Sequence, residues 1–67
     1  MLEDWILKKK EVEASKSKLR GIDLSNAKLM GAKLDGADLT QADLTYAYLI
    51  KADLRKASLV QADLTQA

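Results

Sequence analysis

The sequence predicts an all-β solenoid, a chain that winds repeatedly around one apolar axis, preceded by a short helix. Two observations carry this prediction. An alanine returns every five residues from Ala27 to Ala67, and a leucine follows two residues behind each of the first eight alanines. Because an internal repeat constrains architecture more strongly than composition does, the five-residue period is the first feature to explain.

A period of five suits neither regular element. On an α-helix each residue advances about 100°, so leucines five apart would spread over all sides. On a flat strand, side chains five apart would face opposite sides. The alanine and leucine of one repeat lie two residues apart and share a face, and a bend after every five residues keeps the next alanine inward. Repeated bends in one sense wind the chain into coils that pair by backbone hydrogen bonds.

Four copies of the repeat agree closely with one consensus: ADLTQ at 37–41, ADLTY at 42–46, ADLRK at 52–56 and ADLTQ at 62–66. Their A(D/N)LxX pattern resembles the pentapeptide repeat family, and the register covers residues 17–67, about three quarters of the chain. The resemblance implies a right-handed, four-sided β-helix with 20 residues in each coil, and hence about two and a half coils here. The first two copies depart from it, with Ser17 and Ile22 at the inward alanine position.

Residues 1–16 differ in composition from the repeats, and we predict a capping α-helix there, followed by the β-helix at 17–67. No Gly or Pro interrupts this stretch, and two acidic residues precede three lysines, as the helix dipole prefers. Its apolar residues form a broken stripe of Leu2, Trp5, Ile6 and Val12. We expect Trp5 to anchor the helix over the first coil, because solenoids cover their open ends. The alternative is a helix that docks on a partner or a membrane surface.

The fifth position of each repeat is predicted to be the corner of the coil. Three early corners are glycines, which tolerate tight bends: Gly21, Gly31 and Gly36. Later corners carry larger residues: Gln41, Tyr46, Lys51, Lys56, Gln61 and Gln66. From this variety we predict that the corner does not require a left-handed backbone conformation.

A coil of 20 residues would stack side chains that lie 20 apart on the outer surface. One such column is Asp23, Asp43 and Asp63. We expect each carboxylate to accept hydrogen bonds from nearby backbone N–H groups or Ser/Thr hydroxyls. The alternative, a cation site, is disfavoured because a flat column offers too few oxygens. The same register predicts two ion pairs between coils, Lys33 with Asp53 and Asp35 with Arg55.

One face of the predicted coil, 27–31 beneath 47–51, carries a group of outward apolar residues. Together with the preceding corner they are Met30, Tyr46, Tyr48 and Ile50. Clustered apolar side chains on a small protein can mark a contact site, so these four form the candidate interaction surface. The alternative is that Met30 packs on Ile50 and merely shields backbone.

Composition argues against an enzyme. The chain has no His and no Cys, and it has no Gly-rich phosphate loop, so we assign no catalytic, cofactor-binding or metal-binding residue and expect no cofactor. Eleven Lys and Arg stand against ten Asp and Glu, a balance that disfavours a nucleic-acid surface and equally an acidic mimic of DNA. No stretch has the length of a membrane span or the pattern of a signal peptide, so we expect a cytoplasmic protein.

Two classes of function fit this description. The first is a rigid structural or protein-interaction module, with a protein partner that the sequence does not identify. The second is a DNA-mimicking inhibitor of a topoisomerase such as DNA gyrase, because some proteins of the resembling family act in that way. The short repeat region and the balanced charge disfavour the second class. A bacterial origin is implied by the resemblance alone.

The last repeats suggest a further contact. Beyond residue 67 the predicted coil would present unpaired backbone groups and the leucines of its final sides, Leu54, Leu59 and Leu64. Such an edge favours pairing with another chain. We therefore expect either that the natural protein continues past residue 67, or that two copies stack end to end as a homodimer.

Overall fold

The computed structural model of this protein describes residues 4–67. Helix α1 spans Asp4–Ala14, and a 3₁₀ helix follows at Lys16–Lys18. Leu2, which the sequence placed in the apolar stripe of the helix, lies outside the described residues. After the 3₁₀ helix, the described part of the chain contains turns and isolated β-bridges but no longer strand.

The repeats pair with one another at a spacing of 20 residues. Parallel bridges join Asp23 to Asp43, Lys28 to Tyr48, Lys33 to Asp53, Asp38 to Ser58, and Asp43 to Asp63. The chain therefore returns alongside itself after four repeats. We call 20 consecutive residues a layer, so that a residue and the one 20 positions later lie in adjacent layers.

Three backbone hydrogen bonds join each pair of stacked repeats. Between 22–26 and 42–46, the Asp43 N–H donates to the Ile22 carbonyl at 2.8 Å, and the Leu24 N–H donates to the Asp43 carbonyl at 2.7 Å. The Asn26 N–H then donates to the Thr45 carbonyl at 2.8 Å. One residue bonded to two neighbours of the facing segment is the parallel pattern. A corner ends each side after these bonds, which is why pairing takes the form of isolated bridges instead of extended strands.

Every corner from Gly21 to Gln66 has a positive φ, so the prediction that corners do not require a left-handed conformation is wrong. The residues other than glycine have φ between 57° and 62°: Asn26, Gln41, Tyr46, Lys51, Lys56, Gln61 and Gln66. At each corner a leucine carbonyl accepts from the alanine N–H three residues on, as from Ala27 to Leu24 at 3.1 Å. This turn places positive φ at its third residue, and the bonds between layers hold larger side chains there despite the strain.

The core is a stack of leucines flanked by alanines. Six leucines are fully buried: Leu19, Leu24, Leu29, Leu34, Leu39 and Leu44. Four alanines are buried beside them: Ala32, Ala37, Ala42 and Ala47. The predicted inward register is thus confirmed in the middle of the repeats. Leu49 and Leu54 are partly buried and pack against this core, because no described layer follows above them.

Candidate interaction surface

Helix α1 covers the first layer with one apolar and two polar contacts. Val12 is its buried residue and belongs to the leucine core. Glu13 Oε2 accepts a hydrogen bond from the backbone N–H of Lys33 at 2.7 Å. Lys9 Nζ donates to the backbone carbonyl of Met30 at 3.1 Å. In higher layers the equivalent N–H and carbonyl groups pair with backbone, so side chains of α1 supply at this edge what a lower layer would supply.

Trp5 lies on the same helix and is partly buried. The ammonium of Lys9 lies 5.8 Å from the centre of its indole ring, within the range of a cation–π contact. Lys9 thus bonds to the first layer through Met30 and approaches Trp5 at the same time. The role of Trp5 as the anchor of the cap stays a prediction.

The outward aspartates form a local motif within single repeats. Oδ1 of Asp43 accepts from the Thr45 hydroxyl at 2.7 Å and from the Thr45 N–H at 3.0 Å. The same paired bonds join Asp23 to Ser25, Asp38 to Thr40 and Asp63 to Thr65. The expected hydrogen bonding of the aspartate column is confirmed. Among the described residues, no group of three or more acidic, His or Cys side chains is placed to hold a metal ion.

These bonds favour the ionised form of the carboxylates. The Thr40 hydroxyl, and then the Thr40 N–H, hold the pKa of Asp38 below its ordinary value. Ser25 lowers the pKa of Asp23, and Thr65 lowers the pKa of Asp63, through the same two bonds. A carboxyl group with a lowered pKa is deprotonated near neutral pH and is a poor general acid.

The ion pairs differ from those that the register predicted. Arg55 bonds within its own repeat to Asp53, through Nε at 3.0 Å and Nη2 at 2.9 Å. Asp35 instead pairs with Lys16 at 2.9 Å, at the junction between α1 and the repeats. The two predicted cross-layer pairs are therefore wrong, although Lys33 and Asp53 do stack. The spacing of two residues that suits Asp–Thr bonding also suits Asp53 and Arg55, so the local pair forms.

The candidate surface is largely exposed and lies beside an open groove. Tyr46, Tyr48 and Ile50 are exposed, and Ile50 keeps 69% of its area in solvent. All three line a groove of about 570 Å³. Met30 is partly buried and is not among the lining residues. Because Ile50 is so exposed, a Met30 side chain that covers it does not account for this face.

The groove also contains residues that the sequence analysis did not select. They are Asn26, Ala47, Leu49, Gln66 and Ala67. Asn26 and Gln66 lie 20 residues before and after Tyr46, so they belong to the same column of corners. The 20-residue register was a signal that could have found them. The lining carries no Asp, Glu, Lys or Arg, so the groove is apolar and amide-rich in character.

The floor of the groove presents backbone groups without hydrogen-bond partners among the described residues. They are the N–H groups of Leu49 and Lys51 and the carbonyl of Ala47. One layer below, the equivalent groups of Leu29, Gly31 and Ala27 bond to the segment 48–50. The groove therefore combines exposed apolar side chains with an unsatisfied parallel edge.

The predicted end-to-end contact involves the neighbouring sides of the same edge. Leu54 and Leu59 are partly buried, and Leu64 is 39% exposed. Pairing of two copies through these leucines stays a prediction. A further cleft lies between Asp35, Gly36, Arg55 and Lys56, with a volume of about 320 Å³. Within residues 4–67, no helix is both long enough and apolar enough to cross a bilayer.

Comparison with known proteins identifies the repeats. A family model described as pentapeptide repeats, in eight copies, matches residues 10–45 and 32–67. The two matched ranges overlap and together extend over most of the chain, including the whole groove. Searches of curated proteins and of solved structures gave no match.

Proposed function

This chain belongs to the pentapeptide repeat family, and we propose that it is a rigid, non-enzymatic module that binds a protein partner through Tyr46, Tyr48 and Ile50. Proteins of this family are generally structural or interaction modules. The observation that carries the proposal is the exposure of three apolar side chains together at an open groove. Clustered apolar exposure of this kind is typical of contact sites.

The proposed frame for this surface is a right-handed, four-sided β-helix of about two and a half coils. Parallel bridges at a spacing of 20 residues and a positive-φ corner every five residues support it. The dense bonding between layers fixes the backbone beneath the surface, and Leu29 and Leu44 pack fully buried behind it. A rigid frame lowers the entropy cost of binding, because few groups become ordered when the partner docks.

The chemistry of the outward side chains supports a binding role more than a catalytic one. The carboxylates of Asp38 and Asp53 are held by Thr40 and Arg55, and both have lowered pKa values. The chain has no His or Cys to act as base or nucleophile. The groove is lined by apolar and amide side chains, which suit contact with another protein.

The proposal can be tested by crosslinking from two matched positions. A photoreactive amino acid is placed at Ile50 or at Val60, which is the fourth residue of its own repeat and is similarly exposed, at 62%. We expect a protein captured from Ile50 but not from Val60. That protein, once purified, should bind the unmodified chain and should lose affinity for Ile50→Ser but not for Val60→Ser. Equal capture and equal affinity at both positions would contradict the proposal.

A further inference from the structure

The edge of the groove has a hydrogen-bond pattern that defines the shape of its ligand. One layer below, Tyr48 donates its N–H to the Ala27 carbonyl at 2.8 Å and accepts the Leu29 N–H at 2.9 Å. The carbonyl of Ile50 accepts the Gly31 N–H at 2.9 Å. An extended segment in the groove meets the same three groups one layer higher, on Ala47, Leu49 and Lys51. One ligand residue bonded to both Ala47 and Leu49 is a parallel arrangement.

The side chains define which residues such a segment carries. The middle residue of the segment lies over Leu49, as Leu49 lies over Leu29, so a leucine there continues the buried stack. The residues on either side of it face outward and lie over Tyr48 and Ile50. Gln66 and Ala67 line the same groove as Tyr48, and they bound the segment at its amino end.

The charges near the groove favour an acidic ligand. Lys28 lies directly below Tyr48 on the same side, and Lys51 occupies the corner that follows Ile50. Neither lysine is in an ion pair within residues 4–67. With no Asp or Glu in the groove lining, the local field is positive. A carboxylate in the ligand residue over Tyr48 complements this field.

We propose that the groove binds an extended peptide of a partner protein, parallel to residues 47–51, with an acidic residue over Tyr48 followed by a leucine over Leu49. This inference rests on the proposed function and specifies its partner. Binding adds one strand-like segment to an open edge, in which main-chain hydrogen bonds give affinity and the leucine position gives selectivity. Tyr48 and Ile50 then cover the outer side of the peptide.

The probe is a synthetic peptide with the sequence of residues 38–44, DLTQADL, acetylated and fluorescently labelled. Its control contains the same seven residues, reordered so that no leucine follows an aspartate. Fluorescence anisotropy with the full chain should show saturable binding of the probe, and about tenfold weaker binding or none for the control, because the leucine no longer leaves water. A probe with N-methylated first aspartate lacks the N–H for Ala47 and should also bind about tenfold more weakly.

Variants of the chain test the location. Ile50→Ser should weaken binding about tenfold, because a covering apolar side chain is lost, whereas the matched Val60→Ser should leave binding unchanged. Addition of the probe should slow hydrogen exchange at the Leu49 and Lys51 amides. A probe with lysine for its first aspartate should bind more weakly, with a difference that shrinks at high salt.

Three results would overturn the inference. They are the absence of saturable binding, equal binding of the reordered peptide, and unchanged exchange at Leu49 and Lys51. Light scattering without peptide tests the other occupant: a dimer that Ile50→Ser dissociates would assign the groove to a second copy of this chain. If the probe fails while a partner still depends on Ile50 in crosslinking, the proposed function stands and the peptide inference does not.

Discussion

Glu13 and Lys33 are joined across the boundary between helix and repeats, where the Glu13 carboxylate accepts the Lys33 backbone N–H at 2.7 Å. In the layers above, the equivalent N–H, such as that of Asp43, donates to a carbonyl 21 residues earlier. For Lys33 that carbonyl would belong to Val12, which lies in α1 and accepts from Ser15 instead. A helix can therefore end a stack of parallel layers if one of its side chains supplies the missing acceptor.

Removal of this acceptor should destabilise the junction. Glu13→Ala leaves the Lys33 N–H without its protein partner, and we expect a loss of about 1 kcal/mol in the free energy of unfolding, measured by chemical denaturation. Glu13→Gln keeps an acceptor and should lose less. Glu11→Ala, an exposed glutamate on the same helix, is the matched control and should have little effect. Equal losses for Glu11→Ala and Glu13→Ala would show that the contact is not specific.

The centre of the leucine stack should be the most sensitive part of the core. Leu39 is fully buried, so Leu39→Ala should cost about 2–5 kcal/mol in the free energy of unfolding. Leu64→Ala, in the same position of a repeat but 39% exposed, should cost clearly less. Ala42→Leu should also destabilise, because the buried site has no room for the added volume. A Leu39→Ala variant as stable as Leu64→Ala would contradict the inward register.

Glycine at a strained corner should stabilise the protein. Lys56 has a φ of 61°, so Lys56→Gly removes the side-chain strain of a left-handed residue and should raise stability by about 0.5–1 kcal/mol. Lys28→Gly, an exposed lysine without positive φ, is the control and should lower stability by about 0.5–1 kcal/mol.

The reverse change at a glycine corner should have the opposite sign. A Cβ at Gly36 meets nothing within 4 Å, so Gly36→Ala tests backbone conformation alone and should destabilise. Thermal unfolding followed by circular dichroism measures these variants. A lower melting temperature for Lys56→Gly would show that the corner is not strained.

Stability should fall in acid. The pKa of Asp38 is lowered from its ordinary value of 3.8 by Thr40, so its contribution is present above that value and is lost as pH falls through the folded-state pKa. Asp23 and Asp63 behave in the same way. We expect the melting temperature to decline below about pH 4.

Two variants isolate the part of this acid sensitivity that comes from Asp38. Asp38→Asn removes the titrating group, and Thr40→Val removes the hydroxyl that lowers its pKa. Both should be less stable at pH 7 and should lose less stability on acidification than the unmodified chain. Parallel pH profiles for all three proteins would exclude a role of this pair.

The chain should not inhibit DNA gyrase in a supercoiling assay. A DNA mimic needs a dense run of negative charge, whereas this chain carries eleven cationic against ten acidic residues and pairs Asp53 with Arg55 on its surface. The three stacked aspartates, Asp23, Asp43 and Asp63, supply one carboxylate per layer. Inhibition at stoichiometric concentration would revive the alternative function.

The sequence by itself determined which side chains enter the core and which family the chain belongs to. Alanine and leucine at a spacing of two share a face in any extended segment, so their burial follows from local geometry and holds at Leu39 and Ala42. The bonds of Asp43 to Thr45 follow for the same reason, since both partners lie within one repeat.

The tertiary structure decided what depends on backbone conformation or on competition between partners. Gln41 and Tyr46 are not residues that favour positive φ, but the bonds between layers impose it on them. Arg55 had a carboxylate in its own repeat and another one layer away, and distance selected Asp53. The groove joins Asn26, Tyr46 and Gln66, which meet because a layer contains 20 residues. Glu13 has no repeat position at all, and its role exists because α1 lies where an unpaired N–H needs an acceptor.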